Sequence, residues 1–495
     1  MNYKLLCRIL SYVLLIEAGF LLLPTVVCCI YKEPTYPFLI TIGLLIAVAI
    51  PFLVKKAENT RMYAKEGFVT VGLSWILMSL FGALPLVISG AVPNYIDALF
   101  EIISGFTTTG STILTDIEAL PRGILFWRSL THWLGGMGVL VLMLALFPAE
   151  NGSTIHLMRA EVPGPQKGKL VPKMRNNALI LYSIYVALTV IMVASLLIAK
   201  MPIYDALVTA FGTAGTGGFS VLNDSIAGYN SPAVEWIVAS FMVVFGINFN
   251  MYFFLFIRKL KPILKSEELR IYLILIVVST ALISVNVWSS VEYHCESVSE
   301  CIRDAFFQVT SILSTTGYAT LNYDLWPSFS KNLIILLTFV GACAGSTAGG
   351  LKISRIIIIF KTMRLRIKKM LKPREVISLK LDGDTLPLET GNSAMNYLAI
   401  YSVLIFVSIF LITFDGKDFL TSFTATLTCI NNVGPGMGDI VGPVGNFSSF
   451  SYFSKIILSI DMLFGRLEII PMIIILSPST WRGFSRKDIP FLKKT

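Results

Sequence analysis

What this chain offers chemically is coordination by oxygen. Residues 311–320 read S-I-L-S-T-T-G-Y-A-T, and altered versions recur as F-T-T-T-G-S-T at 106–112, A-G-T-G-G-F-S at 214–220 and N-N-V-G-P-G-M at 431–437. Their glycines Gly110, Gly217, Gly317 and Gly434 are spaced by 107, 100 and 117 residues, which in so apolar a chain marks internal repeats. Glycine lets a backbone turn its carbonyls to one side, and converging carbonyl oxygens can replace the hydration shell of a monovalent cation. The candidate coordinating residues are Thr108, Thr109, Gly110, Thr216, Gly217, Thr316, Gly317, Val433 and Gly434. Threonine precedes the glycine in three segments and Val433 in the fourth, so the members are unequal. Bond-making chemistry lacks its parts. There is no P-loop and no nucleophile paired with a base, and His132, His156 and His294 are scattered without metal-ligand spacing.

These segments need elements to aim them. Upstream of each the chain reads D-A-L-F from Asp97, D-A-L-V from Asp205, D-A-F-F from Asp304 and D-F-L-T from Asp418, placed 13, 12, 13 and 16 residues before the glycine. That length makes a helix of about three turns. Aspartate is a preferred N-cap, so Asp97, Asp205, Asp304 and Asp418 are expected to cap four short helices whose negative ends face the glycine segments. Frequent Gly and Thr in membrane helices would explain one such segment through close packing. Four copies behind four similar helices point to a pore, because irregular backbone at membrane depth is tolerated only in protein or along a watery cavity.

A mean hydropathy of +0.74 with 14% charged residues excludes an ordinary soluble protein of 495 residues. The net charge of +10 comes from Lys and Arg gathered in blocks between apolar runs, the positive-inside pattern, rather than on a nucleic-acid-binding face. The run 9–30 is too long for a signal peptide and is expected to remain as a helix. The expected fold is an all-α polytopic membrane protein. An N-terminal helix pair with a basic linker (1–67) precedes four parallel helix–pore-loop–helix repeats at 68–176, 177–268, 269–392 and 393–495, the last including a tail. With every basic block cytoplasmic, both termini are inside and all four glycine segments are on the outer side. Parallel units around an axis enclose a pore, whereas inverted ones would suggest alternating access. Cys295 and Cys301 fall in an outer loop, where the spacing leaves a disulfide open.

Two further features bear on mechanism. G-A-C-A-G-S-T-A-G-G at 341–350 interrupts the second span of the third repeat, and Gly341, Gly345 and Gly349 also spell two overlapping G-x-x-x-G patterns that would suit helix packing. Together with Gly350 and Lys352 they otherwise suggest a flexible block beneath the glycine segments. Arg466 lies within the apolar run 456–476, where a charge costs roughly 2.5–3.5 kcal/mol on insertion scales. Its neighbours Asp461 and Glu468 are turned away from it on a helix, so Arg466 is expected to point at the pore, with a helix-to-helix ion pair as the alternative.

The motifs S-T-T-G-Y-A-T from Ser314, N-N-V-G-P-G-M-G from Asn431, W-L-G-G-M-G from Trp133, G-A-C-A-G-S-T-A-G-G-L-K from Gly341 and G-R-L-E from Gly465 together resemble the Trk/Ktr/HKT superfamily of potassium-translocating subunits. The additional N-terminal helix pair is similar to the bacterial TrkH/TrkG type. The resemblance implies potassium uptake through a selective pore in the cell inner membrane, with potassium ions in the filter, no covalent cofactor and no enzymatic activity. It implies a gate built from the 341–350 run. It also implies a homodimer in which each protomer has its own pore, regulated by a cytoplasmic nucleotide-binding ring protein of the TrkA type. The other reading is an ion-coupled secondary transporter, driven by sodium ions or protons, on the same scaffold.

Overall fold

A computed structural model of the chain describes residues 2–54, 63–138, 174–290, 295–375 and 377–481. The basic residues Lys55, Lys56 and Arg61, the end of the first repeat's second span, the basic block at 159–173 and the basic tail at 482–495 lie outside the described residues.

Each repeat contains a leading, a pore and a trailing helix, and the third continues after the 339–352 break into Ile353–Leu371. The leading helices are Ala64–Gly82, Met174–Ile198, Glu267–Trp288 and Leu388–Ile412. The pore helices are Tyr95–Phe106, Ile203–Gly215, Val298–Leu313 and Phe419–Ile430, too short to span a bilayer. The trailing helices are Arg122–Gly136, Pro232–Phe245, Ser328–Thr338 and Tyr452–Arg466. Six helices among the described residues are long and apolar enough to cross a membrane, and up to seven if the bent pair in the second repeat counts as one.

The packing is cyclic. Every leading helix lies on its own pore helix, and every trailing helix lies between its own pore helix and that of the next repeat. The fourth trailing helix packs on the first pore helix, which closes the circle. The same neighbours at each step are what parallel units around one axis produce. Helices Tyr3–Phe20, Leu22–Tyr31 and Tyr36–Val54 pack against the first repeat. The break at Leu21 comes just before Pro24, which has no N–H to give the carbonyl of Phe20.

The expected aspartate caps hold for one helix of four. Asp418 is an N-cap, its carboxylate accepting from the Thr421 amide at 3.2 Å. Asn94 and Ser297 cap the first and third pore helices by the same type of bond, and Pro202 precedes the second. Asp97 and Asp205 therefore fall inside the first turn, and Asp304 falls deeper, because their helices start earlier than the D-A pattern suggests. Two of these carboxylates enter ion pairs instead. Asp97 accepts from Lys455 of the fourth trailing helix at 2.7 Å. Asp304 pairs with Arg303, which also reaches Glu235 of the second trailing helix at 2.8 Å.

The interruption at 341–350 has two counterparts that the sequence reading lacks. The second trailing helix turns by 90° into Phe249–Phe256. Gly246 and Asn248 stand at the bend, and Asn248 caps the new helix by accepting from the Asn250 amide at 2.9 Å. The fourth trailing helix stops at Arg466, where Glu468 and Ile469 take φ of +57° and +56° before Ile470–Leu476 begins with Pro471 in its first turn. One hairpin departs from the all-α pattern: Leu379–Leu381 pairs with Asp384–Leu386 around Asp382–Gly383, both at positive φ as a tight hairpin turn requires. Cys295 and Cys301 are joined in a disulfide at the start of the third pore helix.

Candidate functional site

The four pore helices end alike. Thr108, Thr216, Thr315 and Asn432 adopt left-handed φ of +55°, +56°, +58° and +53°. Their amides reach back three residues, to the carbonyls of Gly105, Thr213, Ile312 and Cys429. The next amides, of Thr109, Gly217, Thr316 and Val433, reach back five residues at 2.8–2.9 Å, to Ser104, Gly212, Ser311 and Thr428. This is the Schellman ending. It normally uses glycine at the left-handed position, and a threonine there carries strain of about 1–3 kcal/mol that the surroundings must hold.

One residue further on, the chain again takes positive φ, at Gly110 (+83°), Gly218 (+76°), Gly317 (+81°) and Gly434 (+98°). A side chain on each would collide with the backbone of the next repeat in order. Gly110 abuts the carbonyl of Gly217, Gly218 that of Thr316, Gly317 that of Val433, and Gly434 that of Thr109. The four segments thus form a closed ring of backbone with no room for a Cβ at any junction.

That ring corrects the alignment of the second segment. The counterpart of Gly110, Gly317 and Gly434 is Gly218, and Gly217 is the counterpart of Thr109, Thr316 and Val433. With Gly218 as reference, Asp205 precedes it by 13 residues, as Asp97 and Asp304 precede theirs. Threonine therefore precedes the ring glycine in two repeats rather than three. Gly217 is glycine for its own reason, since a Cβ there would strike the buried ring of His132.

Behind the ring lie charged and polar groups that the motif reading passed over. Glu101 of the first pore helix is fully buried and pairs with Arg128 at 2.5 Å. Its carboxylate also accepts from the Ile113 amide and the Thr112 hydroxyl, both at 2.9 Å. Arg128 donates to the Ser220 carbonyl of the second segment at 3.1 Å and stacks over Phe219. The pair therefore ties the first two return segments together. Asn432 donates to Thr109 Oγ1 and to the Met462 carbonyl, both at 2.9 Å, joining the fourth segment to the first. The available signal was a glutamate and an arginine inside otherwise apolar helices.

On the side where the pore helices end, the non-helical residues 339–352 lie directly against the ring. Val340 and Leu351 form a bridge that closes the loop's base, and Gly341 N–H donates to the Leu351 carbonyl at 2.9 Å. Glu268 Oε1 accepts from the amides of Ala344 and Ser354 at 2.7 and 3.0 Å. The bend in the second repeat takes up further loop groups: Cys343 N–H donates to Gly246 at 3.1 Å, and Phe249 N–H donates to Gly345 at 3.0 Å. Gly349 touches Asn431 and Asn432, and its amide donates to Thr315 Oγ1 at 2.7 Å. Gly341, Gly345 and Gly349 thus meet three different partners and share no helix face, which removes the G-x-x-x-G packing reading. Gly350 completes the turn at φ +68°.

Arg466 reaches under the same ring. Its guanidinium donates to Thr347 O at 2.7 Å in the loop, to Gly135 O and Gly136 O at 2.5 and 2.7 Å at the end of the first trailing helix, and to Thr108 Oγ1 at 3.2 Å. Lys352 is buried beside it and donates to the carbonyls of Ala348 and Gly349. Both neighbouring carboxylates are engaged elsewhere: Glu468 pairs with Arg355 at 2.8 Å, and Asp461 accepts from Ser408 at 2.7 Å. A cavity of about 50 Å³ is lined by the loop residues Gly345 and Gly349 together with Trp75, Lys352, Arg466 and Glu468.

Four helix–loop–helix units in cyclic order on one chain, closing a ring of backbone over a loop and two basic side chains, make an all-helical polytopic membrane protein. Residues 38–482 match the TrkH family, described as cation transport protein, and the chain belongs to that family. It is 34% identical over 488 residues to the Trk system potassium uptake protein TrkH of Salmonella typhimurium, covering 97% of this chain and all of that one. It is 33% identical to the TrkG protein of the same system in Escherichia coli K12, covering 93% and 95% of the two chains. The crystal structure of the potassium transporter TrkH from Vibrio parahaemolyticus superposes with a TM-score of 0.87 at 29% identity, over 97% of this chain and all of that one.

Proposed function

We propose that this chain moves potassium into the cell through the axis enclosed by its four ring segments. The observation that carries the reading is the closed ring itself, in which each glycine meets the carbonyl before the next repeat's glycine. Carbonyls of Thr109, Gly217, Thr316 and Val433, with those of the flanking Thr108, Gly110, Thr216, Gly218, Gly317 and Gly434, replace the hydration shell of the ion. The C-terminal ends of four pore helices add negative potential there. The names of the relatives support potassium as the cargo. Residues 339–352 and Arg466 act as the gate, the loop as the obstruction and the guanidinium as a fixed positive charge in the ion's path. The basic blocks support cytoplasmic termini, and the Cys295–Cys301 disulfide suits a loop on the outer, oxidising side. Relatives named as parts of a Trk system support a partner component, which we take to be a cytoplasmic nucleotide-binding ring protein acting on a homodimer with one pore per protomer.

The test is ion flux in liposomes holding the purified full chain, with potassium, rubidium and sodium compared. Potassium and rubidium are expected to pass at similar rates and sodium more slowly. Equal rates for all three would remove the selective-filter reading.

A further inference from the structure

The four left-handed residues at the base of the ring are alike in backbone and unlike in the partners of their side chains. Thr216 turns its hydroxyl to its own neighbour, the Gly215 carbonyl, at 2.6 Å. Asn432 binds Thr109 and Met462 within the ring assembly. The other two are held from below. Thr108 Oγ1 accepts from Arg466 and Thr315 Oγ1 accepts from the Gly349 amide. Thr315, Asn431 and Asn432 are fully buried, and Gly349 is buried against them.

We infer that Thr315 is a positioning residue that latches the loop to the ring, so that loop position and ring geometry change together. A buried amide needs an acceptor, and Thr315 Oγ1 is the one that Gly349 has. When the loop is seated, the Gly349 N–H fixes the Thr315 side chain and supports a β-branched residue in a backbone region it rarely adopts. When the loop leaves, the amide is hydrated and the support is withdrawn from the third segment. Withdrawal of Arg466 does the same to Thr108 in the first. Ion discrimination therefore depends on loop position, through a hydroxyl that contacts the loop rather than the ion. The inference rests on the reading of 339–352 as the gate.

The experiment compares Thr315→Val with Thr315→Ser in the full chain reconstituted in liposomes, reading rubidium and sodium uptake per folded molecule. Valine keeps the shape and removes the acceptor; serine keeps the acceptor. Loss of one buried hydrogen bond is expected to raise basal rubidium uptake in Thr315→Val by about fivefold and to lower the rubidium-to-sodium ratio. Thr315→Ser is expected to restore most of the lost closure. Thr315→Ala, and hydrogen exchange across 341–352 in the wild type and in Thr315→Ser, keep the test open if the valine variant does not fold. Wild-type uptake in both Thr315→Val and Thr315→Ala would overturn the latch, as would an equal rise in Thr315→Ser. Higher uptake at an unchanged ion ratio would overturn the link to the ring. A variant shortened within 341–350 separates the two readings: if it raises uptake while Thr315→Val does not, the gate stands and the latch falls, and if it leaves uptake unchanged, the gate itself falls.

Discussion

At the scale of single residues, the site depends on what a side chain would do to backbone. Gly317 has φ +81° and faces the Val433 carbonyl and Pro435, so Gly317→Ser must displace one of two adjoining segments. Its expected effect is loss of potassium preference over sodium at normal expression, read from the flux ratio; an unchanged ratio would take this glycine out of the filter. The ring also predicts that Gly218→Ala damages transport as severely as Gly110→Ala, because each Cβ strikes the next repeat's carbonyl. Growth on limiting potassium compares the two directly. Arg128→Met is a stability test. It leaves Glu101 buried and unpaired, which costs about 3–5 kcal/mol, so the melting temperature should fall, and adding Glu101→Gln should recover part of the loss. Three of the four ring glycines were legible in the sequence. The second was displaced by one position because G-T-G-G offers two glycines after a threonine, and only the backbone dihedrals tell them apart. Thr315 gave no signal, since a β-branched residue rarely takes positive φ, whereas Asn432 is of a type that does so more often than most.

At the scale of elements, the short pore helices and long leading helices follow from apolar run length, and the sequence carries both. The breaks in the trailing helices are less legible. The run at 341–350 is conspicuous because ten small residues replace an apolar stretch. The bend at Gly246–Asn248 is not, because the partners that take up its freed backbone groups lie about 100 residues away in the loop. Aspartate was an unreliable guide to helix starts here, since Asp97 pairs with Lys455 of the fourth trailing helix and Asp304 with Arg303 beside it in its own helix. The loop and Arg466 give two predictions. Shortening the loop within 341–350 should raise potassium flux and make it less dependent on a cytoplasmic partner; unchanged flux would assign the loop a purely structural role. Arg466→Gln and Arg466→Ala should raise flux per folded molecule, because the positive charge leaves the ion's path. Loss of folded protein without any gain in flux would mean that the carbonyl bonds of Arg466 hold the repeats together and do no gating.

At the scale of the molecule, four repeats follow one another in cyclic order, each trailing helix wedged between two pore helices, an arrangement that suits the proposed conduit better than two rocking halves. The basic blocks suggest a parallel orientation, whereas the order around the axis was not legible, because it is written in packing between helices far apart in sequence. The ring is expected to enclose a selective, continuously open path once the loop is withdrawn. Single-molecule current through the loop-shortened variant in a planar bilayer tests it most directly. Roughly 10⁷ ions per second or more are expected, faster than rocking motions on the microsecond-to-millisecond scale allow, with potassium and rubidium favoured over sodium. Turnover below about 10³ per second, saturating and tied to a co-transported ion, would contradict it and identify an alternating-access transporter on the same scaffold.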